Sequence, residues 1–204
     1  MSTLCTGIVF RPKKGQCISG DAYLVMHLER TYMAVLVDGL GSGEAAARAS
    51  RRAVMTACTH AWADLPYILQ QCHLALRKTR GAVMSLLKIT LHPVGGERVS
   101  YAGVGNIGFS AQSAHSFQPI NANGIVGSRL PKVNVFEGVY TPGDVFVLST
   151  DGITRRFNLS QIPEAREQPP QVIAAKIDEG FSREDDDVTV LVVASCAAGQ
   201  RGRR

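Results

Sequence analysis

Residues 31–54 read TYMAVLVDGLGSGEAAARASRRAV, and the reading of the fold turns on them. Thr31–Val37 is a short run of β-branched, aromatic and apolar residues, the length and composition of a buried strand. It stops at Asp38-Gly39. From Ser42 the composition changes to alanine at helix-forming density, and Ala46, Ala49, Ala53, Ala57 and Ala61 recur near a 3.6-residue spacing. That spacing makes a slim face suited to close packing. Ser42 followed by Glu44 in the first turn suits a helix N-terminus. A buried strand therefore runs into a helix through a loop that opens on a carboxylate.

Working outward, residues 4–10 form a short apolar run. CISGDAYLVMHLE (17–29) reads as a strand that pairs with 31–39 through a Glu29-Arg30 turn. Gly20-Asp21 falls inside it, at a place where a bulge tolerates an acid. Downstream, Asp64 can cap a second helix with Pro66 in its first turn. Ile68, Leu69, Cys72 and Leu76 supply its stripe, and it ends before Gly81. Strands follow at 82–92, 97–105 and 107–112, with a turn at 93–96. Residues 113–131 read as an irregular surface loop. Strands resume at 133–140 and 144–150 around Thr141-Pro142-Gly143, a helix covers about 169–180, and the last strand is VTVLVVAS (188–195). Strands joined mostly by short turns favour antiparallel sheets covered by helices over a doubly wound parallel sheet.

Composition narrows the function. With 45% apolar and 19% charged residues over 204 positions, the chain is neither disordered nor a coiled coil. We read 1–198 as a single domain and 199–204 as a basic, frayed tail. The net charge is +5, and without the tail's Arg201, Arg203 and Arg204 it falls to +2, so a nucleic-acid partner is not expected. Only 6% of residues are aromatic, too few for a base-stacking platform. No apolar run approaches the roughly 20 residues of a membrane span. The opening residues show no secretory pattern, so a cytoplasmic location without membrane association is expected. The five cysteines (Cys5, Cys17, Cys58, Cys72, Cys196) are scattered, which suits reduced thiols, and the five histidines form no ligand pair.

The chemistry lies in the carboxylates. DVFVLSTDG repeats the first pattern, an apolar run ending in Asp151-Gly152. Asp-Gly is an ordinary turn dipeptide, but neither copy leads into a matching strand. In SREDDDVTVLVV, Glu184, Asp185, Asp186 and Asp187 run straight into a β-branched strand. With Asp21 this makes an oxygen-only donor set, suited to Mg²⁺ or Mn²⁺ rather than zinc. Two such ions about 3.5–4 Å apart activate water for attack on a phosphoryl group. A rival reading takes Gly39, Gly41 and Gly43 as a phosphate-cradling loop of a nucleotide-binding module. No Lys-Ser/Thr follows, and the dinucleotide spacing fails at Glu44. A third reading is a catalytically silent adapter for phosphoproteins.

SGDAYLV, AVLVDGLGSGEAA, KTRGAVMSLLKI, YAGVGNIGF, LSTDGI and DDDVTVLVV, in that order between about residues 20 and 193, resemble the metal-dependent PPM (type-2C) protein phosphatases. Within them they resemble the compact bacterial SpoIIE-type branch and its RsbX-like stressosome phosphatases. The resemblance implies an α+β fold, an α-β-β-α sandwich of two antiparallel sheets flanked by helices. It implies two Mn²⁺ or Mg²⁺ ions, with Asp38 bridging them and the Gly39 carbonyl on one. Asp151 and Asp186 complete the other site, and Asp21 binds through water or stands behind the ligands. Asp38 and Asp151 would act catalytically through water activated at the ions, which attacks phosphorus in line. The implied substrates are phosphoserine or phosphothreonine in STAS-domain stressosome proteins, dephosphorylated by a monomer. Three positions depart from the eukaryotic pattern. Leu40 stands where those members carry a histidine. Gln16, with Lys13 and Lys14 nearby, stands where they carry a phosphate-gripping arginine. Asn106 stands where they carry an aspartate for a third metal.

Overall fold

Two antiparallel sheets lie face to face in the structure, a computed structural model that describes residues 4–92, 96–154 and 156–195. The strands are β1 (Leu4–Arg11), β2 (Asp21–Leu28), β3 (Thr31–Gly39), β4 (Ala82–Thr90), β5 (Arg98–Val104), β6 (Gly108–Gln112), β7 (Phe136–Val139), β8 (Val145–Ser149) and β9 (Val188–Ser195). The helices are α1 (Gly43–Thr59), α2 (Leu65–Leu76) and α3 (Pro170–Phe181). One sheet has the order β1-β9-β8-β6 and the other β2-β3-β4-β5-β7. Every pairing is antiparallel.

Alternation along the strands builds the layers, because successive side chains point to opposite faces. On β3, Met33, Val35 and Val37 pack under α1 and α2, while Tyr32, Ala34 and Leu36 face the second sheet. On β9, Val188, Val190 and Val192 pack under α3, while Leu191 and Val193 face inward. Three apolar cores result, one between the sheets and one beneath each helical layer. This is the expected α-β-β-α sandwich.

The helices form where their sequences place them. Ala46, Ala49, Ala53 and Ala57 are fully buried on α1 and let it approach the sheet closely. Ser42 sits at the N-cap of α1, but its side chain makes no capping bond. Asp64 does cap α2, accepting from the Tyr67 backbone N–H at 2.8 Å. Lys88 on β4 reaches under the α1–α2 connection and donates to the Ala61 and Ala63 carbonyls.

Several expectations change. Asp21 is the first residue of β2, not a bulge within a longer strand. The strand expected at 133–140 shortens to β7, and two 3₁₀ turns at Leu159–Gln161 and Ala165–Glu167 precede α3. The largest correction concerns 113–131, which is not a free surface loop. Phe117 and Val126 are buried in it, and Val126 exchanges backbone hydrogen bonds with Ala82 at 3.0 and 2.9 Å. Asn121 accepts from the Tyr101 hydroxyl at 2.7 Å and donates to the Ile107 carbonyl at 2.6 Å. The segment begins on Asp144, fully buried, which accepts from the Ser113 hydroxyl and the Ala114 N–H, both at 2.8 Å. The chain straps across the open end of the five-stranded sheet because two apolar residues can reach its cores. Cys17, Cys58 and Cys72 are free, as expected, but Cys5 is disulfide-bonded. The tail at 199–204, Cys196 and residues 93–95 of the expected 93–96 turn lie outside the described residues.

The strap carries a stability prediction. Val126→Ala deletes two methyl groups from a closed site and should cost about 2 kcal/mol. Ile120→Ala, at an exposed position of the same segment, should stay within about 0.5 kcal/mol. Urea midpoints compared at constant m-value check both. Equal midpoints for the two variants would mean that the strap is not part of the core.

Candidate functional site

The side-chain parity that builds the central core also builds the site. Asp38 shares its face of β3 with Ala34 and Leu36, and Asp21 shares its face of β2 with Tyr23 and Val25. Both therefore point between the sheets, and the β2–β3 register sets them directly opposite one another. The other sheet contributes Thr150 and Asp151, just past the end of β8. It also contributes Asp186 and Asp187, just before β9, and Thr189 within it. Four strand ends thus meet at one edge of the sandwich.

Asp21 forms the floor. It is 4% exposed, and its Oδ2 accepts from the Thr150 hydroxyl at 2.9 Å and the Thr189 hydroxyl at 2.7 Å. The Thr150 hydroxyl in turn accepts the Thr189 N–H at 2.9 Å. One carboxylate of the five-stranded sheet is thereby fixed by two threonines of the four-stranded sheet. Burial pushes the Asp21 carboxyl up to about 7, against the two hydroxyl bonds that favour its ionised form.

Asp38 is less exposed to solvent than a surface acid but remains half open. Its carboxyl is pushed up to about 8, first by burial and then by the charges of Asp21, Asp151, Asp186 and Asp187. No hydrogen bond and no cation among the described residues offsets this. Like charges directly opposite on paired strands destabilise a sheet. The Asp21–Asp38 pair is such an arrangement.

The neighbouring acids divide into two roles. Asp187, nearly buried, accepts the Lys13 N–H at 2.8 Å and the Gly20 N–H at 2.7 Å, which ties the β1–β2 connection to the start of β9. Asp186 stays half open, and its Oδ1 accepts the Asp187 N–H at 2.9 Å. Burial, then Asp151's charge, raises its carboxyl above the usual range. Asp151 is oriented by Asn106, whose Nδ2 donates to its Oδ2 at 2.8 Å. Asp187 spends both oxygens on backbone amides, whereas Asp186 spends one, its Oδ1.

The glycine after each aspartate is there for room. Neither Gly39 nor Gly152 has positive φ. A Cβ on Gly39 would collide with the Ala46 carbonyl of α1, and a Cβ on Gly152 with the Asp187 carbonyl. The two Asp-Gly steps are therefore not turn signals but points where a second backbone presses against the carboxylate's own. The phosphate-cradle reading of the Gly39–Gly43 loop loses ground for a related reason. The Gly39 N–H is donated to Gly20 and the Leu40 N–H to Gly81, at 3.1 and 3.0 Å.

All five expected site residues, Asp21, Asp38, Gly39, Asp151 and Asp186, come to this one edge. Lys14 does not join them, because it pairs with exposed Glu184 at 3.1 Å. Sequence reading gave no role to Thr150, took Thr189 only as part of the DDDVT motif and missed the orienting role of Asn106. The two threonines carried a signal, Thr189 as a hydroxyl on the inward face of apolar β9 and Thr150 as a hydroxyl directly after apolar β8. Among the described residues no three His, Cys, Asp or Glu side chains close tightly enough to hold an ion alone. Oxygen donors around a part-open, uncompensated negative centre still fit a small divalent cation that keeps several waters. Beside Asp151 a cavity of about 200 Å³ opens between Asn106, Phe109, Ser110, Thr154 and Phe157.

Comparison with known proteins agrees with this geometry. A phosphoserine phosphatase, RsbX of Bacillus subtilis (strain 168), is 29% identical over 143 residues, 69% of this chain and 70% of RsbX. Among solved structures, a chain from work on the bacterial stressosome, described as a modular system adapted to control secondary messenger signaling, superposes with a TM-score of 0.86. It is 34% identical and covers 94% of this chain and 99% of its own. RsbX in complex with magnesium superposes with a TM-score of 0.80 at 25% identity, over 95% and 96% of the two chains. The Stage II sporulation protein E (SpoIIE) family matches residues 29–195, and the chain belongs to that family.

Proposed function

We propose that this chain is a Mg²⁺- or Mn²⁺-dependent phosphoserine/phosphothreonine protein phosphatase that resets phosphorylated STAS-domain proteins of a stressosome in the cytoplasm. The observation that carries the reading is Asp38, a part-open carboxylate ringed by four others with no cation among the described residues to answer them. The likeness to RsbX and to a stressosome chain supports the substrate class.

Asp38, the Gly39 carbonyl, Asp151 and Asp186 would hold two ions, with Asp21 behind them. Bound there, the ions neutralise the carboxylates, polarise the phosphoryl group and make water a nucleophile near neutral pH. The chain's own residues supply position. Thr150 and Thr189 fix Asp21, and Asn106 aims Asp151. The cavity beside Asp151 gives the departing serine or threonine room, with Phe109 and Phe157 as its apolar walls. Leu40 has no proton to donate to the leaving alkoxide.

Hydrolysis of para-nitrophenyl phosphate should stop with EDTA and return with Mn²⁺ or Mg²⁺. Full turnover after exhaustive chelation would exclude a metal-assisted reaction. Asp38→Asn should lower kcat at saturating Mn²⁺ at least a hundredfold, about 2.7 kcal/mol of transition-state stabilisation. Asp21→Asn should lower it less. The reverse order would reassign the bridging role.

The same carboxylates set a pH dependence for the metal-free fold. Asp21 and Asp38 rise from the ordinary 3.8 to about 7 and about 8 in the folded state. The folded chain then holds more protons than the unfolded chain between these values, so its stability falls as pH rises from about 4 to 8. Urea melts across that range should show the decline. Mn²⁺ should flatten it, and Asp38→Asn should make the metal-free protein more stable than wild type at pH 8 while removing activity. A metal-free stability that rises over this range would contradict the assignment.

A further inference from the structure

A second charged feature lies next to the carboxylates and is not explained by them. Arg48 and Arg52 stand one turn apart on the exposed face of α1, and Lys78 and Arg80 face them from the connection between α2 and β4. Together with Ala45 and Thr79 they enclose a cavity of about 510 Å³. Like charges four residues apart on a helix repel one another. Glu44, one turn before Arg48, does not relieve them. The ion pairs among the described residues are Arg11–Asp178, Lys14–Glu184 and Arg166–Asp144, and none includes these four cations.

The pocket adjoins the site through the backbone. The Arg80 guanidinium lies against Gly41, whose φ of +96° and lack of a side chain leave the space for it. Next to it, the Leu40 N–H is donated to the Gly81 carbonyl at 3.0 Å. The rim of the basic pocket is thus the same loop that carries Asp38 and Gly39. A chain that delivered a phosphorylated side chain to the carboxylates could run past Arg80, at the edge of this pocket, with its neighbouring residues.

We propose that this pocket is a docking site for an acidic stretch of the substrate protein flanking its phosphorylated residue. The proposal rests on the phosphatase reading above. A concave set of cations that make no ion pair among the described residues selects carboxylates and disfavours basic flanks. No aromatic side chain lines it, so it lacks the stacking surface that single-stranded nucleic acid would use.

The test uses the full chain, Arg48→Gln/Arg52→Gln and, separately, Lys78→Gln. All three positions are exposed, and circular dichroism verifies the fold. The substrates are para-nitrophenyl phosphate and two phosphoserine peptides, one with glutamate-rich and one with glutamine-rich flanks. Wild type should favour the glutamate-rich peptide at least tenfold in kcat/KM, mainly through KM, and added NaCl should erode that preference. The double variant should lose most of the preference, Lys78→Gln part of it, and both should hydrolyse the aryl phosphate normally. No preference in wild type, or an undiminished preference in the double variant, would overturn the proposal. Failure of wild type to hydrolyse the aryl phosphate with Mn²⁺ would instead sink the phosphatase reading. Docking is then read directly, from fluorescence anisotropy of the unphosphorylated glutamate-rich peptide. Weaker binding by the double variant supports the pocket, and equal binding refutes it. Displacement of that peptide by a single-stranded oligonucleotide at lower concentration than by unlabelled peptide would assign the surface to nucleic acid and overturn the proposal.

Discussion

Negative charge that no cation among the described residues answers is the constraint on which this molecule depends. Asp21 and Asp38 sit opposite one another on paired strands, and Asp151, Asp186 and Asp187 add their charges to Asp38. A fold under selection for stability alone would place a lysine or arginine among them, or replace some with apolar residues. Among the described residues the ion pairs lie elsewhere, with Lys14 on Glu184 and Arg166 on Asp144. The repulsion is retained at a part-open edge where a small divalent cation relieves it.

The sandwich makes this arrangement rigid. Side-chain alternation aims Asp21 and Asp38 between the sheets, and Thr150 and Thr189 of the opposite sheet fix Asp21 there. Asp187 uses its oxygens to bind the β1–β2 connection to β9, while Asp186 spends only its Oδ1, on the Asp187 N–H. Gly39 and Gly152 let α1 and the start of β9 press against the two aspartate-bearing backbones. Site and core are therefore one construction. The groups that would bind ions are continuations of strands whose other residues fill the space between the sheets, and this is how a fold holds ligands to within fractions of an ångström.

Much of this was legible in the sequence because the signals were periodic. The alanine spacing of α1, the Asp64 cap of α2 and the β-branched run of β9 each specify an element locally. The two apolar runs ending in Asp-Gly pointed to the site, although the close backbone approach that requires their glycines was not visible there. What stayed hidden depends on contacts between distant segments. Nothing local reveals that Val126 closes against Ala82, that Asp144 anchors a strap thirty residues upstream, or that Thr150 and Thr189 converge on Asp21. The basic pocket was equally invisible, because Arg48 and Arg52 look like an ordinary solvated helix face until Lys78 and Arg80 are brought opposite them.

The most direct measurement of the central claim is calorimetric titration of the metal-free protein with Mn²⁺ at pH 7, repeated in buffers of different ionisation enthalpy. Carboxylates held partly protonated by burial and mutual repulsion must lose those protons when ions bind. The account predicts two Mn²⁺ per chain and release of about one proton or more, with Asp38→Asn losing most of both. Binding without buffer dependence, or no binding at millimolar Mn²⁺, would contradict it.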